Sequence, residues 1–153
     1  MPIEIERRFL VSGTEWRRPS GASIAQGYLA SSPMTSVRVR LLDDRGFLTI
    51  KGNSAGTTRT EFEYEIPVAE ARELLELCEH ALIRKVRYLV EFAGTRWEVD
   101  EFQDENAGLV IAEVELESED QLFARPPWLG LEVTHDVRYF NFSLARHPFC
   151  EWK

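Results

Sequence analysis

The chain has 153 residues, 44% of them hydrophobic and 29% charged, with 26 Asp and Glu against 18 Lys and Arg for a formal net charge of −8. That length fits one domain, 1–153, with a sizeable core, and the composition excludes a disordered chain. So acidic a protein lacks the basic field of a general nucleic-acid binder, and the two cysteines, Cys78 and Cys150, give neither a disulfide framework nor a zinc-site spacing.

The opening segment is charged rather than apolar and no apolar run reaches membrane-spanning length, so a cytoplasmic protein without membrane contact is expected. Residues 2–11 predict a strand and 13–21 a loop. Three more strands fall at 23–31, 35–42 and 47–51, the last two joined by an Asp-Asp-Arg-Gly hairpin turn at 43–46. A turn bearing glycine and serine, 52–56, precedes a long strand at 59–68. Residues 69–80 carry the clearest helical stripe, with Ala69, Ala71, Leu74, Leu75, Leu77 and Cys78 on its apolar side. Strands follow at 82–92, 96–102 and 109–117, with Ala93-Gly94 as the first turn. Ser118-Glu119-Asp120 reads as the cap of a short helix through 124, ended by Pro126-Pro127, and 137–147 reads as a final helix. Eight hairpin-linked strands and two or three helices make an antiparallel α+β domain.

The charges on those strands are not scattered. Glu4, Glu6 and Arg8 stand at spacing two, so a strand points all three to one face. The spacing recurs in Arg38/Arg40, Glu61/Glu63, Lys85/Arg87, Glu98/Asp100 and Glu113/Glu115. The opposite faces are apolar: Val37, Val39 and Leu41, then Phe62, Tyr64 and Ile66, then Val86, Tyr88 and Val90, then Ala112, Val114 and Leu116. Helices or a partner subunit are expected to cover them. Periodicity leaves two architectures open: an open sheet with its charged face in water, or a sheet closed on itself around a charged lumen. Like charges stacked along single strands favour closure, because a solvated face avoids them unless a ligand compensates. The expected fold is therefore an eight-stranded antiparallel closed β-barrel, a tunnel with a few helices outside. Its lumen suits divalent metals and a highly charged anion.

The segments EIERRFL, QGYL (26–29), VRVRL (37–41), TIKG (49–52), RTEFEYEI (59–66), RKVRY (84–88), WEVDEF (97–102), AEVELESED (112–120) and DVRYFNFSLA (136–145) together resemble a CYTH domain of the triphosphate tunnel metalloenzyme superfamily. The resemblance spans nearly the whole chain in the expected order. It implies an eight-stranded tunnel that binds a triphosphate with divalent metal, Mg²⁺ or Mn²⁺. Inorganic tripolyphosphatase is the implied activity. A class IV-type adenylate cyclase, a thiamine triphosphatase and a non-catalytic polyphosphate or nucleotide binder are the alternatives. A homodimer burying part of the apolar exterior is the implied assembly.

The candidate triphosphate ligands are Arg8, Arg38, Arg40, Lys51, Arg59, Lys85 and Arg87, joined by Arg138 through its match to the family's C-terminal helix. A triphosphate carries about four or five negative charges and needs several cations held on rigid elements. Hard metals take oxygen ligands, and Glu4, Glu6, Glu61, Glu63, Glu98, Asp100, Glu113 and Glu115 offer them. The expected catalytic set is Glu4, Glu6 and Arg8, with Glu61 or Glu63 orienting the attacking water. The family opens with Glu-x-Glu-x-Lys, whereas this chain carries Arg8 at the lysine position. A planar guanidinium fork thus replaces a compact ammonium.

Overall fold

The computed structural model describes residues 3–32, 34–55 and 58–152. Nine strands pair into one sheet: β1 (Ile3–Val11), β2 (Ala22–Ser31), β3 (Ser36–Leu42), β4 (Arg45–Ala55), β5 (Thr58–Ile66), β6 (Ile83–Phe92), β7 (Thr95–Phe102), β8 (Val110–Glu115) and β9 (Leu129–Glu132). Their order is β5-β4-β3-β2-β6-β7-β8-β1-β9, and β1 also pairs with β5. That last pairing, Ile3 with Thr60 and Ile5 with Thr58, closes β1 through β8 into an antiparallel barrel. Full closure removes exposed strand edges and fixes which face of every strand is inside. β1 does double duty: its first residues seal against β5, and Phe9 and Val11 pair with β9 outside the ring.

The apolar outer faces are covered in three ways. Over β6, β7, β8 and β1, Phe9, Val90, Trp97, Val99, Ala112 and Val114 pack with Trp16 and Trp128 into one cluster. Its cover is loop rather than helix. Trp16 sits in the β1–β2 connection, and Phe123 and Trp128 come from the connection between β8 and β9; Phe9 and Phe123 both meet Trp97 edge to face. Over β2, β3 and β4 lies α1 (Val68–Glu76), with Ala71 its buried residue. Gly27 and Gly46 admit this close contact. A Cβ at Gly27 would stand 2.7 Å from Cys78 Sγ, and one at Gly46 would stand 2.7 Å from the Ala71 Cβ. The third cluster joins Ile83, Phe102 and Ile111 to Tyr139, Leu144 and Ala145, so the C-terminal segment with α2 (Asn141–Arg146) packs against one end of the barrel.

Four expectations are corrected in detail. No turn occupies 52–55: β4 runs on to Ala55, with a register irregularity between Lys51 and Ser54, and Gly56 lies outside the described residues. A glycine at such a bulge lets the strand bend without ending. No helix forms at 118–124. The Gln121 side chain accepts the Glu117 N–H at 2.6 Å, Leu122 is exposed, and Phe123 alone turns to the core, so local side-chain bonding replaces a helical ladder. The final helix is split into a 3₁₀ turn at Val137–Tyr139 and α2, because Phe140 between them is extended at φ −70°, ψ 141°. α1 stops at Glu76, where Leu77 and Cys78 donate back only three residues, so Leu77 lies off the stripe and exposed. β9 was not expected at all. Elsewhere the two-residue turn Ala93-Gly94 appears with both residues left-handed, φ +50° and +81°, as a type I′ hairpin requires.

Phe9 is 0% exposed and sits between the Trp97 and Phe123 rings. Replacing it by alanine should lower unfolding stability by about 3–5 kcal/mol in urea titrations; a loss below about 1 kcal/mol would contradict this core.

Candidate active site

Inside the barrel lies a cavity of about 480 Å³. Strand alternation puts Glu4, Glu6 and Arg8 of β1, Arg38 and Arg40 of β3, Lys51 of β4, Arg59, Glu61 and Glu63 of β5, Lys85 and Arg87 of β6, Glu98 of β7, and Glu113 and Glu115 of β8 on its lining. All the residues expected from the sequence to bind phosphate or metal lie on this lining, with two exceptions. Asp100 is buried behind the lining, between Lys85 at 2.7 Å and Arg87 at 2.8 Å. Arg138 lies elsewhere, largely exposed and bonded to Asp136, with its guanidinium near the Tyr139 and Trp152 rings.

The charges are segregated. β7, β8, β1 and β5 are consecutive around the closed ring and bear all the acids of the lining pairs. Glu98 is paired with Glu113 across β7 and β8, and Glu6 with Glu115 across β8 and β1. β3 and β6, on either side of β2, bear Arg38, Arg40, Lys85 and Arg87. The cavity therefore has an acidic wall facing a basic one.

Each wall is short of its counter-charge. On the basic wall, Asp100 serves both Lys85 and Arg87, Arg87 also reaches Glu98 at 3.3 Å and Glu113 at 3.9 Å, and the Lys85 ammonium donates to Asn141 Oδ1 at 3.1 Å. Among the described residues Arg40 has no carboxylate within 4.0 Å; its Nε donates to Gln26 Oε1 at 2.8 Å. Arg38 reaches Glu63 only at 3.9 Å, and its buried Nε has no partner, as is true of the Gln26 amide nitrogen. Burial, together with repulsion from Arg38 and Arg87, pulls Arg40 down to about 9. Burial also lowers Lys85 to about 8, even though Asp100 opposes the shift. Buried cations that no anion fully compensates behave in this way.

On the acidic wall, burial and the neighbouring Glu113 raise Glu6, burial raises Glu98, and burial with Glu4 and Glu6 raises Glu115. Two cations bond the carboxylates of β1, one from β1 itself and one from β4. Arg8 donates to Glu6 at 2.6 Å and to Glu113 at 2.8 Å, and Lys51 holds Glu4 at 2.9 Å with Glu61 at 3.6 Å. Glu113 is consequently low, at about 2: burial would raise it, but Arg8, Arg87 and Lys85 outweigh burial. Asp100 is low for the same reason, with Arg87 and Lys85 overcoming its burial.

Some lining residues escaped the sequence reading. Arg96 lies two before Glu98 and Ser36 two before Arg38, and extending the same alternation would have found both. Gln26, two before Tyr28, supports Arg40, and Thr49, two before Lys51, takes a hydrogen bond from Arg38 and donates one to Glu63. Gln121 has no periodic signal because it reaches the cavity from a loop, as Phe140 does from the break before α2.

A model of the CYTH domain matches residues 2–149. An inorganic triphosphatase of Acetivibrio thermocellus is 51% identical over 100% of this chain and 99% of its own. An inorganic triphosphatase of Nitrosomonas europaea is 37% identical over 93% of this chain and 96% of its own. A solved inorganic triphosphatase structure, 35% identical, superposes with a TM-score of 0.68 over 95% of each chain.

Among the described residues, Asp100→Asn leaves buried Lys85 without a carboxylate and Arg87 with only Glu98 at 3.3 Å and Glu113 at 3.9 Å, so unfolding stability at pH 7 should fall by about 3–5 kcal/mol. The pH dependence follows from the low Asp100 and Glu113. The unfolded chain keeps protons that the native state has shed, so their contribution is complete above about pH 4.5 and is lost as pH falls towards 2. In chelator, urea midpoints should decline across that window, and less steeply in Asp100→Asn. A flat profile in the parent chain would contradict the arrangement.

Proposed function

The chain belongs to the CYTH-domain family, and from that premise we propose that it is a metal-dependent inorganic triphosphatase, a phosphoric anhydride hydrolase acting on tripolyphosphate. The observation that carries this reading is the cavity's pair of opposed, under-compensated walls. An anion of about four or five charges with a divalent cation supplies what each wall lacks, whereas either alone leaves one wall strained.

Arg38, Arg40, Lys85 and Arg87 hold the phosphate oxygens, joined by Arg59. They neutralise charge as the transition state spreads it over the transferring phosphoryl group. Gln26 and Thr49 fix the arginine side chains from behind, so little reorganisation is needed at the moment of reaction.

The family implies a divalent cation, and the donor set fits one: Glu4, Glu6, Glu113 and Glu115 are all oxygen donors on adjacent strands, and Glu6, raised by burial and by Glu113, would be lowered by a cation held there. Among the described residues no three acids already converge on one point. Lys51 and Arg8 occupy Glu4, Glu6 and Glu113, so these cations must leave the carboxylates as the site fills, with phosphate oxygens as their new partners. Mg²⁺ or Mn²⁺ held there would supply Lewis-acid neutralisation of the phosphates and a more acidic water. Glu61 and Glu63, the less enclosed carboxylates of β5, orient the attacking water.

No helix among the described residues is long and apolar enough to cross a membrane. We place the protein in the cytoplasm, with a small-molecule triphosphate as its ligand and no nucleic-acid partner. Phe62 and Tyr64, 38% and 55% exposed on the outer face of β5, support pairing of two copies there.

The test is phosphate release from tripolyphosphate with Mg²⁺, with Mn²⁺ and in chelator, beside ATP and thiamine triphosphate. Metal-dependent release should be fastest on tripolyphosphate. Glu6→Gln should lower kcat by about 100-fold or more while keeping the parent's melting temperature. Faster turnover of ATP or thiamine triphosphate would reassign the substrate, and full activity in Glu6→Gln would remove the acidic wall from the reaction.

A further inference from the structure

At the α2 end of the cavity one aromatic ring lies near two cations, Arg59 and the carboxylate-bonded Arg8. Arg59 stands directly opposite Glu4 in the β1–β5 pairing, yet both Glu4 oxygens are taken by Lys51, at 2.9 and 3.1 Å. Among the described residues no carboxylate comes within 4.0 Å of Arg59, and its guanidinium lies 5.8 Å from the centre of the Phe140 ring. The Arg8 guanidinium lies 4.8 Å from the same ring. Both distances fall within the range at which an aromatic face attracts a cation.

The ring is itself held. Phe140 is extended between the 3₁₀ turn and α2, it meets Phe142 edge to face at 5.7 Å, and Phe142 meets Tyr28 of β2 at 6.2 Å. Tyr139 and Leu144, on either side in sequence, are buried against the barrel end. A packed aromatic series thus fixes the one side chain to which both guanidiniums are drawn. Two cations brought to one ring repel each other, and an anion between or beside them removes that repulsion.

We propose that Phe140 is a positioning residue: its ring sets the spacing of the Arg8 and Arg59 guanidiniums, so that the pair receives the end of the bound triphosphate that lies against α2. This rests on the triphosphatase reading and adds to it how Arg59 is aimed without a carboxylate partner and held beside Arg8, which bonds Glu6 and Glu113. At Arg59 a carboxylate partner would compete with phosphate for the same donors, whereas the ring leaves the N–H groups at that guanidinium edge free to donate.

The experiment is calorimetric titration of metal-free protein with tripolyphosphate, which reads binding without turnover. Phe140→Leu should weaken binding by about tenfold, and Phe140→Tyr should keep it within about twofold of the parent, at matched melting temperatures. In a double-mutant cycle, Phe140→Leu should add less than about twofold in an Arg59→Gln background, because the ring acts through that arginine. Parent-like binding by Phe140→Leu, or fully independent effects of the two substitutions, would overturn the proposal while leaving the triphosphatase reading intact. No binding by the parent chain would overturn both. Should Phe140→Leu not fold, Phe140→Met keeps more of the volume and is read by the same criteria.

Discussion

One buried carboxylate shared by two cations organises the site. Asp100 lies between Lys85 and Arg87, Lys85 is 1% exposed, and Arg40 approaches from the far side of β2 with only an amide oxygen to meet it. Arg87 also reaches Glu98 at 3.3 Å, but among the described residues Lys85 has Asp100 alone and Arg40 no carboxylate, so the positive charge in this enclosed place is not fully met. Barrel closure makes the imbalance inescapable, because inward-facing side chains have nowhere else to turn. The same closure puts Glu6, Glu98, Glu113 and Glu115 on the other side with too few cations. The protein stores this mismatch in both walls at once, and the proposed metal-bound polyphosphate would relieve both.

Arg8 shows how one replacement is accommodated. Its guanidinium bridges Glu6 and Glu113 by separate N–H groups and lies over Phe140 besides. A compact ammonium could bond either carboxylate but would offer no planar face to the ring. The arginine is thus built into three neighbours, and its release onto a phosphate must loosen all three. Positive charge is kept where the family pattern has lysine, while its geometry belongs to this chain.

Much of this was legible from the period-two charges. Every charged pair that alternation marked sends at least one member to the lining, because closure turns the register of a strand into a rule about inside and outside, while Arg96 needed the same rule extended. Asp100 was marked too, but sequence spacing cannot tell a lining residue from one tucked behind two cations. Arg138 was drawn in by its family match and not by alternation, and its carboxylate partner Asp136 keeps it away from the cavity. What stayed hidden was non-periodic: β9, four residues long with Leu131 exposed, and the connection after β8, whose Gln121 and Phe123 act as single contacts. Phe140 reads as a helical residue until its extended backbone is seen. The outer cover is helical over β2, β3 and β4 and at the α2 end, but not over β6, β7, β8 and β1. Trp16, Phe123 and Trp128 do from loops what helices were expected to do.

The central claim is that phosphates lie on the β3–β6 side of the cavity and the metal on the β8–β1–β5 side. It is tested most directly by a crystal structure with a non-hydrolysable imido analogue of tripolyphosphate and Mn²⁺, the metal located by anomalous scattering. The account predicts phosphate density against Arg38, Arg40, Lys85 and Arg87, manganese among Glu4, Glu6, Glu113 and Glu115, and Lys51 and Arg8 turned from the carboxylates to the phosphates. Ligand bound outside the barrel, or manganese absent from the acidic wall while phosphate fills the cavity, would contradict it.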